Sequence, residues 1–427
     1  MDEGKTSSHH FYMNKKEISW CMYDWANSVF FTTVVAGFFP VFFKQYWNTE
    51  SSVAISTERL GWVLAATGFL MAVLSPILGV ISDYRRLKKK LLFVFMCFGA
   101  LATLGLYFVP QGDWLTAALL YGVGLFFCSA SCVFYDSLLV SVTTPEKYDA
   151  ISSNGFAAGY LAGGLLFVIN ILMYQNPEWF GFKDGVVGIR FSFVTVAVWW
   201  FIFTLPLMKN VDEPAIDSLG LQKNFFRLIK DSIFELNHTF VEIFRQKNIF
   251  YFVLAYWFYI DGVGTVISMA VDFGMSLGFA AGDLMKALLL TQFVGFPAAY
   301  FAGKFSAKYG NRNIILFCLC IYVVVIFGAS MMTLPWHFFL MAALIGLSQG
   351  GVQALSRSLF AQLIPAKKSG EYFGFFNLLG KFAAILGPLL MSMTARFTGS
   401  PQKTILSLLV LFICGAYFLK KVQIKSV

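Results

Sequence analysis

Asp24, Asp136, Asp261 and Arg357 each lie inside a long apolar stretch, on the first, fourth, seventh and tenth such stretches from the N-terminus. A charge at bilayer depth costs at least about 2.5–3.5 kcal/mol on insertion scales, so it is kept for pairing, ion paths or solute binding. One ionisable group on every third stretch is therefore a spacing with chemical content. The carboxylates can take a proton or a cation, and the guanidinium can hold an anion in a two-pronged grip. Lys381 stands about ten residues into the eleventh stretch, roughly 15 Å deep at helical rise. That is too deep for easy snorkelling, so it needs an acid partner or a wet cavity. With Lys381 the inner set holds three acids and two bases, which leaves one carboxylate without a cation. A carboxylate that alternates between an apolar surround and a cationic neighbour binds and releases a proton. Asp24 and Asp261 are the candidates for that work.

Two readings of these charges stay open. They line a solute cavity, or they are structural pairs, for instance Arg357 with Asp24 fixing one part of the chain to another. Asp136 lies only a few residues from the end of its stretch and could meet water there. Gln349 and Gln353 stand four residues apart, upstream of Arg357 on a similar helical face. Asn27 and Tyr259 are further candidates for solute contacts, with Tyr23, Trp25, Ser28 and Tyr256, although most aromatic residues in membrane helices pack or face lipid. The four histidines (His9, His10, His238, His337) are terminal, in a connector or at a helix end. The seven cysteines all fall in apolar stretches without a completed ligand set, which is the pattern of core packing. No metal, cofactor or enzymatic activity is expected, and no ATP-binding motif is present.

The elements that must hold these residues are membrane helices. The 427 residues are 58% hydrophobic and 13% charged, against about 25% charged in soluble chains. The apolar runs fall near 18–44, 60–82, 90–110, 114–140, 152–174, 188–208, 248–271, 284–304, 312–333, 336–362, 371–395 and 404–419. Each is close to the roughly 20 residues a crossing needs. Residues 1–17 carry no cleavable hydrophobic stretch, so the first run reads as a retained helix. Of the 32 Lys and Arg, 23 fall in loops and ends on one side and seven on the other. The positive-inside effect then puts both termini in the cytoplasm and explains the net charge of +9 without nucleic acid.

The long connector, residues 209–247, divides the chain into six-helix bundles at 18–208 and 248–419, followed by a cytoplasmic tail at 420–427. Phe225, Phe226, Ile229, Ile233, Leu236, Phe240 and Phe244 recur at steps of mainly three and four, which predicts an amphipathic helix on the cytoplasmic surface. On helix five, Gly155, Gly159, Gly163 and Gly164 read as close helix packing.

A repeat relates the halves. The loop after the second helix reads Gly79-Val-Ile-Ser-Asp83-Tyr-Arg85-Arg86-Leu-Lys88, and the loop after the eighth reads Gly303-Lys-Phe-Ser-Ala307-Lys308-Tyr-Gly310-Asn-Arg312. This resembles the signature loop of the major facilitator superfamily. The first copy keeps the acid and has Arg86 where a glycine is usual; the second keeps Gly310 and has Ala307 in place of the acid. A charged gate latch is thus more credible in the first half. Further motifs narrow the resemblance: Tyr23-Asp24-Trp25-Ala26-Asn27-Ser28, Ser152-Ser153-Asn154-Gly155, Tyr259-Ile-Asp261-Gly262, Gln349-Gly350-Gly351-Val-Gln353, Ser356-Arg357-Ser358 and Gly380-Lys381. They resemble the vacuole-effluxer-like family, which contains the autophagy-related vacuolar amino-acid exporter and bacterial relatives. The compact loops look like a bacterial member. The resemblance implies an all-α membrane protein, with twelve transmembrane helices in two pseudo-symmetric six-helix halves. In that fold helices one, four, seven and ten line the central cavity. It also implies a monomeric, proton-coupled secondary transporter of a small polar or anionic solute, such as an amino acid, in a bacterial inner membrane. Siderophore, nutrient or drug transport, or a non-transporting sensor, are the alternatives.

Overall fold

Within lipid no water satisfies backbone N–H and C=O groups, so a chain this apolar must close its hydrogen bonds inside helices. The computed structural model describes residues 12–50, 53–84, 87–213, 241–279, 281–382, 386–398 and 401–423. In order, the helices are α1 (Lys15–Trp47), α2 (Val53–Tyr84), α3 (Lys88–Gly105), α4 (Trp114–Val142), α5 (Tyr148–Gln175) and α6 (Gly185–Asn210). The second half has α7 (Lys247–Ser276), α8 (Ala281–Tyr309), α9 (Asn311–Ser330), α10 (Pro335–Leu363), α11 (Ser369–Phe382), α12 (Leu386–Thr398) and α13 (Lys403–Lys420). Eleven spans are long and apolar enough to cross a membrane individually. α11 and α12, of 14 and 13 residues, lie on either side of residues 383–385, where the sequence predicts the eleventh crossing.

Local chemistry fixes several of the ends. Asn14 and Glu17 form a reciprocal cap at the start of α1, and Asp113 and Asp184 cap α4 and α6. α1 does not stay α-helical: Phe30–Phe38 and Phe43–Trp47 wind as π-helix, a wider form usually limited to single turns and frequent at functional sites.

The first and last described stretches lie on one face, where Met13 meets Asn154 and Val422 accepts from Arg312. The start of the connector is pinned there by Lys16, which holds the Asp212 carboxyl below its usual range through a 2.8 Å hydrogen-bonded ion pair. The expected amphipathic helix falls mostly on residues 214–240, outside the described residues. Side chains of Arg85, Arg86 and Lys381 also lie outside them.

The halves meet along two seams, α2 against α11 and α5 against α8. Glycine makes the close approach possible. A side chain at Gly79 would collide with the Gly370 carbonyl, and one at Gly303 with Ser153, 2.5 Å from its Cβ. Within the first half, α5 offers Gly155, Gly159 and Gly163 to Asp24, Ser28 and Thr32 of α1, one glycine per turn.

Candidate functional site

α1 and α5 can approach this closely only because those glycines lack a Cβ, and the approach carries Asp24 to the seam with α10. There Arg357 enters from the second half. Its Nη2 donates to Asp24 Oδ2 at 3.0 Å and its Nη1 to Asp136 Oδ1 at 3.1 Å. Its Nε donates to Ser152 Oγ at 2.8 Å, and Nη2 also reaches the Ser152 carbonyl at 3.0 Å. Trp20, Tyr135 and Phe156 surround the guanidinium carbon with ring centroids 4.4–5.3 Å away. Tyr135 also donates its hydroxyl to Asp24 at 2.8 Å. The Arg357 side chain is 4% exposed and that of Asp24 10%, so these contacts are largely shielded from water. Two carboxylates share one guanidinium, which gives the cluster a formal charge of −1.

Asp136 is therefore no solvated end residue: it is half-buried and paired with Arg357. Asn27 is buried beside Cys132, one turn beyond Asp24. Gln353 lies one turn from Arg357, where Tyr160 of α5 donates to its side-chain oxygen at 3.5 Å. Gln349 is half-buried one turn further along α10.

Two candidates stand elsewhere. Tyr259 is fully buried in the second half, its hydroxyl 2.6 Å from Ser356 Oγ and its ring on Tyr256. Asp261 is 1% exposed and accepts from the backbone N–H groups of Leu386 and Gly387 at 3.0 and 2.9 Å. It caps α12 inside the membrane, where a carboxylate complements the positive end of the helix.

A second set of contacts closes the seams toward the face that carries the termini. Asp83 accepts from the N–H groups of Gly370 and Glu371 at 3.1 and 2.9 Å and pairs with Lys88 at 2.8 Å. Lys88 in turn donates to Ser369 at 2.8 Å. On the other seam Asp149 accepts from Ser358 at 2.5 Å, Gln362 at 3.2 Å and Asn311 at 3.3 Å. Lys308 is exposed, Gly310 holds a φ of 80° at the tight turn before α9, and Arg312 ties α9 to the chain end.

Ser152, Tyr135, Asp149 and Lys88 make contacts at the candidate site and seams that sequence reasoning did not single out. Ser152 stood in a quoted motif, but a neutral hydroxyl carries no burial signal. Asp149 and Lys88 sit at helix starts, where charges are ordinary.

A profile described as "Vacuole effluxer Atg22 like" matches residues 62–146 and 140–426. The chain belongs to this family. It is 37% identical over 409 residues to the Bacillus subtilis (strain 168) protein described as an uncharacterized MFS-type transporter, YxiO, covering 95% of this chain and 94% of that one. Autophagy-related protein 22 of Eremothecium gossypii is 24% identical over 383 residues, 83% of this chain and 74% of its own. Among solved structures, the human organic anion transporter MFSD10 (TETRAN) superposes with a TM-score of 0.70 at 13% identity, over 95% of this chain and 99% of that one. The proton:xylose symporter XylE gives 0.68 at 12% identity, over 96% and 94%. At such identities these structures establish the fold alone. This Atg22-like protein is thus a multi-pass membrane transporter of the major facilitator fold, and its relatives are transporters, not enzymes.

Proposed function

We propose that this chain is a proton-linked secondary transporter of small zwitterionic solutes, amino acids foremost, acting as a monomer by rocking of its two halves. One observation carries the reading: Arg357 of the second half is bonded to Asp24 and Asp136 of the first. Opening the seam on the terminus-bearing face must pull these groups apart. One wall then presents a guanidinium and the other two carboxylates, each costly at that depth without a partner. A solute with an ammonium and a carboxylate replaces both halves of the broken bridge. The carboxylate left over is neutralised by a proton, which links the solute to a proton gradient. Gln353 and Tyr160 stand one turn deeper and supply neutral hydrogen bonds.

The cation distribution supports reading the terminus-bearing face as cytoplasmic, and with that reading the closed seams lie on the cytoplasmic side. A bacterial inner membrane fits the Bacillus relative.

Uptake of labelled amino acids into proteoliposomes under an imposed pH gradient tests both parts. Gradient-driven uptake that Asp24→Asn or Asp136→Asn uncouples is the expected result. Uptake indifferent to the gradient would remove the proton, and the absence of uptake for every amino acid would remove the solute class. Arg357 alone also fits a simple organic anion, so competition by the des-amino analogue decides the class. An amino acid needs both charges, and its des-amino analogue should compete at least about tenfold less well, as expected for one lost charged hydrogen bond.

A further inference from the structure

α8 has two working faces. Gly295, Ala299 and Gly303 turn toward α5 and the seam. On the other side, Pro297, Phe301 and Phe305 form one wall of an apolar groove of about 610 Å³, closed by Phe317 and Cys318 of α9 and Leu347 of α10. Its aromatic residues are 47–62% exposed in the isolated protein. They stand at membrane depth, so what covers them is hydrocarbon.

The groove has a direction. It runs from Val294, near the middle of α8, to Tyr309 at the terminus-bearing end. Fifteen residues at helical rise is about 22 Å, longer than the roughly 15 Å of one leaflet's hydrocarbon. A whole acyl chain therefore fits along it. The mouth is cationic. Lys308 lies on the same helical face as Phe301 and Phe305 and is exposed, and Lys304 is exposed one turn before it. α9 begins beside the mouth at Gly310, which has no side chain to cap it; Asn311 Oδ1 takes the Arg312 N–H, and the positive end of the helix dipole still faces the headgroup level. Gly310 leaves open space where a Cβ would stand.

We propose that this groove is a binding site for an anionic glycerophospholipid, with one acyl chain between α8 and α9 and its phosphate at Lys308 and the start of α9. A neutral lipid would fill the groove without using the cationic mouth. A lipid seated there braces α8 from behind, against the seam it forms with α5. This inference rests on the groove and its charges, and holds whatever solute is carried.

Full-length protein, stripped of lipid in detergent, is titrated with dioleoyl phosphatidylglycerol, dioleoyl phosphatidylcholine or glycerol phosphate while unfolding temperature and retained lipid are followed. Phosphatidylglycerol alone should raise the unfolding temperature and remain bound through gel filtration. Lys308→Glu, an exposed substitution that folding tolerates, should weaken its retention about fivefold or more, as expected for one cation near an anionic headgroup. Ala298→Trp should fill the groove and abolish the shift. Equal shifts from the two lipids would reduce the site to ordinary annular contact and overturn the proposal. So would an unchanged shift in Lys308→Glu, or glycerol phosphate acting alone.

Discussion

Arg357 donates four hydrogen bonds from one planar group, two of them to carboxylates on different helices of the opposite half. Lysine keeps the charge but is a single point, and cannot serve both acids and Ser152 from one place. Arg357→Ala should cost about 3–5 kcal/mol, because Asp24 and Asp136 would be left buried together without a cation. Arg357→Lys should fold with a smaller loss and transport about tenfold or more slowly, equivalent to one missing charged hydrogen bond. Thermal unfolding and proteoliposome uptake separate the two effects. Full transport by the lysine variant would mean that the fork geometry does not matter. At this scale the sequence was legible wherever lipid forbids a residue. Asp24, Asp136 and Arg357 stood out because charge at depth is costly. Their neutral partners Ser152 and Tyr135 did not, since a hydroxyl costs little enough to be common. Asp261 shows the converse limit: hydropathy gives depth but not the helix faced, and this carboxylate caps α12 instead.

Two helix starts face two loops across the seams, and the acid has changed sides between them. In the α2–α3 loop the fifth position is Asp83, which accepts from the N–H groups of Gly370 and Glu371 at the start of α11, while Lys88 of the same loop reaches Ser369. In the α8–α9 loop that position is Ala307, and the acid comes from Asp149 at the start of α5. The segments Pro145-Glu-Lys147-Tyr-Asp149 and Pro365-Ala-Lys367-Lys-Ser369 put Asp149 and Ser369 in matching places. The sequence repeat alone makes a charged latch more credible in the first half than in the second. It overlooks the second because an acid in a helix's first turn is already favoured by the dipole. Asp149→Ala should open the α5–α8 seam, raising the labelling rate of a cysteine at Gln353 by a reagent applied to the terminus-bearing face. Restoring the acid to the loop, with Ala307→Asp added to Asp149→Ala, should bring the rate back toward that of the parent. No rescue would show that Asp149 acts only through its own helix.

Across the whole molecule, the helical spans, eleven of them long and apolar enough to cross among the described residues, and the division into two halves follow from hydropathy and one repeat, because lipid permits few other solutions. The winding of α1 does not. Its residues Phe30–Phe38 look like any apolar helix in sequence, and only the backbone of the folded chain, where they pack against α5 and α6, shows the π-helical winding. Nor does composition say which face is shut. The structure shows it: Asp83, Asp149 and Arg357 all bridge the halves on the terminus-bearing side of the Tyr160–Gln353 contact. If transport requires those seams to part, fixing one of them stops it. Gly303 and Ser153 suit the purpose, since a Cβ built at Gly303 falls 2.5 Å from that of Ser153. A disulfide needs about 3.8 Å between Cβ atoms, an adjustment that a small helix shift supplies. Ser153→Cys combined with Gly303→Cys should cross-link on oxidation, lose uptake and regain it on reduction, with each single variant unaffected by oxidant. Undiminished uptake by the cross-linked protein would mean that α5 and α8 move as one body, and that the seam between α2 and α11 alone opens the path.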